Sequence, residues 1–221
     1  MIVAILAGGE GTRLKEITKN KPKVLAKVKG KDPFLKIQLD YFSKYSEIKA
    51  IYLLTKKFES QVKRFVDVIQ EKYKFKISII SDGKRKLGTG GAIKKFSNNI
   101  RKDFILIYGD TFPTFNLRYL IKRRYNKKNY MVIFKNNNLY DLSNIKINKN
   151  MIVDYNKDKS MKLIYSYIDY GIMLFRYQEL SKINKFIKYV NFDLSIYLKR
   201  LIEEKKLYYL LTDKRFYEMG K

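Results

Sequence analysis

The sequence predicts an α/β domain whose mostly parallel sheet is followed by a smaller antiparallel lobe. Two patterns carry that prediction. Through the first two thirds of the chain, four- to seven-residue apolar runs rich in β-branched and aromatic residues alternate with longer amphipathic stretches, as in strands buried on both faces and joined by helical crossovers. After about position 136 the runs shorten and are separated by Asn- and Lys-rich turns, which reads as antiparallel strands. The size agrees: 221 residues, 46% of them hydrophobic, are enough for one domain with a packed core.

The opening run Ile2 to Leu6 is the first strand, too short to span a membrane and without a charged leader. Phe34-Leu35, Ile37-Gln38-Leu39, Tyr41-Phe42 and Tyr45 place apolar residues at helical spacing. Ile48 to Leu54 is a second strand, and Phe58, Val62, Phe65, Val66 and Ile69 mark a helix after it. Ile77 to Ile80, Phe104 to Tyr108 and Met131 to Phe134 read as strands, with helices around Ile93-Phe96 and Leu117-Leu120-Ile121-Arg124. In the lobe, strands are expected at Ile145 to Ile147, Met151 to Val153, Leu163 to Tyr167 and Gly171 to Phe175. A helix at Leu194 to Glu203 and a strand at Leu207 to Leu211 close the chain, with no repeat and no linker.

Composition excludes several chemistries. The chain has no His and no Cys, so it holds no imidazole base, thiolate nucleophile, disulfide or Cys-type zinc site, and acid, base or metal work falls to Asp, Glu, Lys or Tyr. The net charge of +27 raises a nucleic-acid reading. Against it, 38 of the 48 cations are Lys, spread along the whole chain in a background rich in Asn, Ile and Tyr, which reads first as compositional bias, with anionic small substrates or a polyanion partner as the alternatives. No nucleic acid and no membrane is therefore expected as a partner, and a cytoplasmic location follows by default.

Directly after the first strand comes Leu6-Ala7-Gly8-Gly9-Glu10-Gly11-Thr12-Arg13. Three glycines in four positions, at the sheet edge where α/β proteins bind ligands, let backbone amides converge on an anion. The third glycine of a G-x-G-x-x-G fingerprint would fall on Arg13, and there is no P-loop ending. By itself the turn is either a phosphate cradle or a tight strand-to-helix connection. Arg13, which can fork onto phosphate oxygens, and Lys21-Pro22-Lys23 shortly after it favour the cradle.

These segments resemble the signature of the sugar-1-phosphate nucleotidyltransferases, the nucleoside-diphosphate-sugar pyrophosphorylases. The resemblance implies a Rossmann-like three-layer sandwich with a small antiparallel sugar-binding lobe, in one domain with a nucleotide-binding half (1–135) and a sugar-binding half (136–221). It implies nucleotide contacts from Leu6, Ala7, Gly8, Gly9, Gly11 and Thr12, with Arg13 on the β and γ phosphates and Lys23 on the reacting α-phosphate.

Leu87-Gly88-Thr89-Gly90-Gly91-Ala92-Ile93 opens a helix. Its glycines read equally as tight packing around a Thr89 cap or as free N–H groups offered to a ligand. The resemblance places Gly88, Thr89 and Gly90 at the nucleotide base, in a variant similar to the heptose-1-phosphate guanylyltransferase branch. The apolar strand from Phe104 is closed by Gly109-Asp110; an Asp there is either a turn former or a hard oxygen ligand that suits Mg²⁺, and the resemblance makes it the family's metal-binding element. Glu218, in Phe216-Tyr217-Glu218-Met219-Gly220, is similar to the family's carboxylate-x-Gly element and is the expected second ligand, with Glu in place of Asp. Sugar contacts are implied at Gly109, Lys157, Asp169 and Gly171, and at Asp193 or Ser195. Asp169 stands where Asn is usual, and Lys157-Asp158 where Glu-Lys is usual.

The implied reaction is NTP plus sugar 1-phosphate giving NDP-sugar and pyrophosphate, with Mg²⁺ as cofactor and Arg13, Lys23 and Asp110 as catalytic residues. The favoured pair is GTP with D-glycero-D-manno-heptose 1-phosphate, for a surface polysaccharide. The alternatives are mannose with GTP, N-acetylmuramate with UTP, or a silent relative that binds nucleotide sugar and regulates a partner. A homodimer is compatible with the family.

Overall fold

The computed structural model describes residues 1–9, 20–28, 31–83, 85–158 and 165–219. The described chain divides into two compact units, Met1–Lys86 with Phe104–Pro113 and Tyr217–Lys221, and Leu87–Asp103 with Thr114–Phe216.

The first unit alternates strand and helix: β1 (Ile2–Leu6), α1 (Phe34–Ser43), β2 (Ala50–Thr55), α2 (Glu59–Ile69), β3 (Lys76–Ser81), then β4 (Phe104–Tyr108) and the two-residue β5 (Thr111–Phe112). Strands β3, β2, β1 and β4 lie side by side in that order, all parallel. The residues that identify β1 and β4 in the sequence are its core: Val3, Ala4, Ile5 and Phe104 through Ile107 are fully buried. Burying one Val or Ile side chain of this kind contributes about 1.5–3 kcal/mol. Pro33 pre-sets the backbone just before α1, whose Phe34, Leu35, Leu39 and Phe42 pack inward. Helix α2 follows a left-handed Phe58 (φ 64°) and buries Val62, Val66 and Ile69 at helical spacing. The register sets Leu6 beside Leu54 and Tyr108, and Leu54 beside Ile80, so four strands finish at one carboxyl edge.

The second unit comprises α3 (Gly88–Ile100), α4 (Arg118–Lys122), β6 (Asn129–Lys135), β7 (Ile145–Asn148), β8 (Met151–Tyr155), β9 (Tyr167–Phe175), α5 (Tyr177–Phe186), α6 (Ser195–Glu203) and β10 (Leu207–Thr212). Its strands run in the order β9-β6-β10-β8-β7. Strand β10 joins β6 in parallel, while β6/β9 and β7/β8 are antiparallel. The fold class is thus the expected α/β, with the four main strands of the first unit parallel and the strands of the second mixed.

Two elements of the second unit differ from the sequence reading. The pair of strands expected at 163–167 and 171–175 is, over its described residues, the single strand β9. Gly171 (φ 82°) does not end it but lies in a bulge, where Met131 faces Met173 and Ile133 faces Asp169. Helix α5 was not anticipated, because only Leu180 and Ile183 of its ten residues are buried and the apolar period is faint. Its entry is held by Arg176, 6% exposed, which donates to Asp103 Oδ2 (2.6 Å) and to the carbonyls of Lys128, Arg123 and Arg124.

Candidate active site

In the first unit the polar chemistry gathers at the carboxyl edge of β1 and β4. Strand β4 ends at Tyr108 and hands the chain to Gly109-Asp110 before β5 begins. Gly109 is glycine for want of space: a Cβ there would stand 2.3 Å from the carbonyl oxygen of Leu6 and 3.2 Å from Val24 Cγ1. Val24 belongs to a 3-10 turn, Lys23–Leu25, entered from the extended Pro22 and buried at that valine. The turn aims Lys23 at the same place, where its Nζ donates to Asp110 Oδ2 at 2.9 Å. The sequence assigned Lys23 and Asp110 separate roles from separate motifs, and the fold makes them an ion pair with Lys23 13% and Asp110 35% exposed at the side chain.

Glu218 arrives beside them from the other end of the chain. A strand of two residues, β11 (Tyr217–Glu218), pairs antiparallel with β5, setting Glu218 opposite Thr111, and the Met219 N–H donates to the Asp110 carbonyl at 2.8 Å. Asp110 and Glu218 therefore sit on adjoining backbone positions. Two carboxylates are a donor set that fits Mg²⁺, a hard cation that takes one or two carboxylates and completes its shell with phosphate oxygens and water.

One residue at this edge was missed. Gln38, in the middle of α1, is fully buried, and its Nε2 donates to the carbonyls of Tyr108 and Thr111, 3.0 Å each. The available signal was a polar residue on the apolar face of α1, with Leu35 three positions before and Phe42 four after.

Of the glycine-rich turn, Leu6 through Gly9 are described; Gly11, Thr12 and Arg13 lie outside the described residues. A Cβ on Gly8 would lie 3.3 Å from Lys56 Cβ, whereas one on Gly9 meets no described atom within 4 Å.

The second unit collects other predicted residues around Asp193. Added Cβ atoms would stand 2.5 Å from Phe192 O at Gly88, 2.4 Å from the Phe192 ring at Gly90 and 2.3 Å from Val190 O at Gly91. The N–H groups of Gly90 and Gly91 are taken by the Phe192 carbonyl at 2.9 and 3.4 Å. Close packing thus accounts for Gly90 and Gly91, and their N–H groups are not free for a ligand. Thr89 lies inside the first turn of α3 rather than at its cap; its hydroxyl donates to Asp193 Oδ2 (3.1 Å) and accepts from the Leu194 N–H (2.8 Å). Lys157 Nζ donates to Asp193 Oδ1 at 2.9 Å, and the Ser195 N–H donates to the same oxygen. Burial pushes the Asp193 carboxyl up, but the hydrogen bonds from Ser195 and Lys157 outweigh it and hold the group at about 2. Lys157, Asp193 and Ser195, separate candidates in the sequence, are one cluster.

Asp169 and Gly171 have a local role. The Asp169 carboxylate accepts the Gly171 N–H at 2.7 Å inside the β9 bulge, and the Asp169 N–H donates to Asn144 Oδ1. That bond shapes the bulge and explains a carboxylate that is 7% exposed.

Comparison with known proteins agrees with this architecture. A family model described as nucleotidyl transferase matches residues 2–190. The D-glycero-alpha-D-manno-heptose 1-phosphate guanylyltransferase of Campylobacter jejuni is 34% identical over 142 residues, 64% of this chain and 60% of that protein. The UTP–glucose-1-phosphate uridylyltransferase AglF of Haloferax volcanii is 28% identical over 124 residues, 56% of this chain and 49% of that one. The chain therefore spans less than two thirds of the length of these curated relatives. The crystal structure of HddC from Yersinia pseudotuberculosis complexed with GMP-PN superposes with a TM-score of 0.76 at 21% identity, covering 100% of this chain and 94% of that one, a likeness of fold. Among the described residues, no helix is long and apolar enough to cross a membrane.

Proposed function

The chain belongs to the nucleotidyl transferase family, and we propose that it transfers the nucleotidyl group of an NTP to a sugar 1-phosphate, releasing pyrophosphate. The observation that carries this reading is the Lys23–Asp110 ion pair at the carboxyl edge of a parallel sheet, with Glu218 returned beside it by β11. A phosphate oxygen of the sugar phosphate attacks the α-phosphorus in line; the bond to the β-phosphate breaks, and pyrophosphate carries away the electron pair. A phosphate monoester is already largely ionised at neutral pH, its second pKa being about 6, so no general base is required of a chain that has no His.

What the protein supplies is alignment and charge compensation. Lys23, on its short anchored turn, supplies a fixed positive charge for the α-phosphoryl oxygens. Asp110 and Glu218 would hold Mg²⁺, which when bound supplies charge neutralisation on the phosphate oxygens. The glycine-rich turn after β1 is assigned to the triphosphate, with Arg13 on its β and γ phosphates. In the second unit, Lys157 and Asp193 present a cation and a carboxylate held ionised, chemistry suited to a sugar phosphate and to sugar hydroxyls.

For specificity we favour GTP with a heptose 1-phosphate. Because packing explains Gly90 and Gly91, this assignment rests mainly on the 34% identical Campylobacter relative. The competing pair, UTP with a glucose 1-phosphate, is favoured by the Haloferax relative. The test is pyrophosphate release with Mg²⁺ across four NTPs, each paired with heptose, mannose, glucose and N-acetylmuramate 1-phosphates. Release with GTP and heptose 1-phosphate supports both levels of the reading. Release with another pair keeps the reaction and replaces the specificity, and silence with nucleotide bound refutes the reaction and favours a regulatory binder.

A further inference from the structure

The amide of Gln38 does something that the family reading does not ask of it. Its two N–H bonds go to two main-chain carbonyls, those of Tyr108 and Thr111, at 3.0 Å each. Both partners can only accept, so the orientation of the amide follows from the contacts: the NH₂ end faces the turn. Those carbonyls bracket Gly109 and Asp110, one at the last residue of β4 and the other at the first residue of β5. A single side chain thus ties together the two ends of the turn that presents Asp110. The clamp also reaches Glu218, because Thr111 is its register partner in the β5/β11 pair and the Met219 N–H is bonded to the Asp110 carbonyl.

The other half of the amide shows why it is there. Gln38 Oε1 is buried and has no hydrogen-bond partner among the described residues. An apolar side chain of the same length would fill the space without that unsatisfied acceptor, so nothing about packing α1 requires Gln at this position. The donors are what an apolar residue could not replace. Without the amide, the carbonyls of Tyr108 and Thr111 each lose this donor, and the turn loses the one side chain that ties its two ends, so Asp110 is held less firmly.

We propose that Gln38 is the positioning residue for the carboxylate pair Asp110 and Glu218: from the centre of α1 it holds the Tyr108–Thr111 turn in the shape that turns both carboxylates toward one divalent cation. The proposal rests on the metal assignment made above. Gln38 touches neither substrate nor metal and acts only through the main chain.

The test is Gln38→Met, which keeps length and removes both donors, with Gln38→Glu as a second variant that keeps shape and replaces the donating nitrogen by oxygen. Mn²⁺ is titrated into wild type and variants by electron paramagnetic resonance, with GTP present and no sugar phosphate. Backbone amide exchange of residues 108–111 and 217–219 and the thermal midpoint are measured in parallel. Loss of a group that orients metal ligands lowers metal affinity by about 10- to 100-fold, and that is the expected shift for Gln38→Met, with faster exchange confined to these two segments. A residue that merely fills the core would lower the midpoint and leave Mn²⁺ affinity and local exchange as in wild type, and that result overturns the proposal. If wild type itself binds no Mn²⁺, the metal assignment falls; unchanged exchange in the variants would then overturn the clamp as well, and faster exchange at 108–111 would leave a clamp that serves something other than a metal. Should Gln38→Met fail to fold, the same measurements on Gln38→Glu decide.

Discussion

Replacing Gly109 by Ala probes how the sheet edge controls the chemistry. The added methyl would lie 2.3 Å from the carbonyl oxygen of Leu6 and 3.1 Å from its carbon, about 1 Å inside an ordinary contact. The obstacle is main chain at the end of β1, which is paired in register with both β2 and β4. It cannot swing aside like the tip of a side chain, so the ends of β1 and β4 must separate. Overpacking of this kind costs about 1–3 kcal/mol, and for a chain of this size the thermal midpoint should fall by about 2–12 °C. The next residue is Asp110, which moves with the strand end. A misplacement of about 1 Å at a reacting centre costs on the order of a hundredfold, so turnover in the pyrophosphate-release assay should fall by about that factor. The loss should appear in kcat while the KM for the sugar phosphate stays within about threefold. A rise in that KM with kcat unchanged would instead make Gly109 a direct sugar contact. A variant with unaltered midpoint and turnover would refute the close approach of β1 and β4 from which the reasoning starts.

Further outcomes can be measured alongside it. Lys23→Ala and Asp110→Ala each remove one preorganised charge and should lower turnover at least about a hundredfold, with near-normal turnover in either removing that residue from its role. The Ser195 N–H and then Lys157 hold the Asp193 carboxyl at about 2 against an ordinary 3.8, so these bonds contribute stability above about pH 4 that is lost as pH falls toward 2; urea midpoints of Asp193→Asn should lose that part of the pH dependence, and an unchanged profile would count against the Ser195 and Lys157 bonds. Arg176→Met removes the donor to Asp103 Oδ2 and to three carbonyls, while Asp103 Oδ1 keeps the Tyr177 N–H; a fully buried pair broken in this way costs about 3–5 kcal/mol, and because Asp103 is 41% exposed the expected loss is about 3 kcal/mol. A denaturation midpoint equal to that of wild type would contradict the buried knot at the start of α5.

Much of the first unit could be read from the sequence because its strands are buried on both faces. Continuous apolar runs announce β1 and β4 to the residue, and the carboxylate that closes β4 follows from its place at the strand tip. The second unit was less legible. Helix α5 buries too few residues to impress a period on the sequence, and Gly171, ordinarily a sign of interruption, lies in a bulge that the Asp169 carboxylate stabilises from within a continuous strand. Gln38 hid among the apolar residues of α1, where composition cannot distinguish a misplaced polar residue from a buried clamp.

The α/β class, the glycine turn after β1 and the carboxylate that closes β4 are legible in the chain alone, since each is encoded in a contiguous stretch whose periodicity or backbone freedom acts locally. Folding alone brings Lys23 to Asp110 across 87 residues, sets Glu218 opposite Thr111 through a two-residue strand, and gathers Thr89 and Lys157 on Asp193 across 104 and 36. Such contacts leave no pattern in the chain: each is one hydrogen bond or a pair of register partners between distant segments, placed by strand order and by how closely glycine lets one backbone approach another.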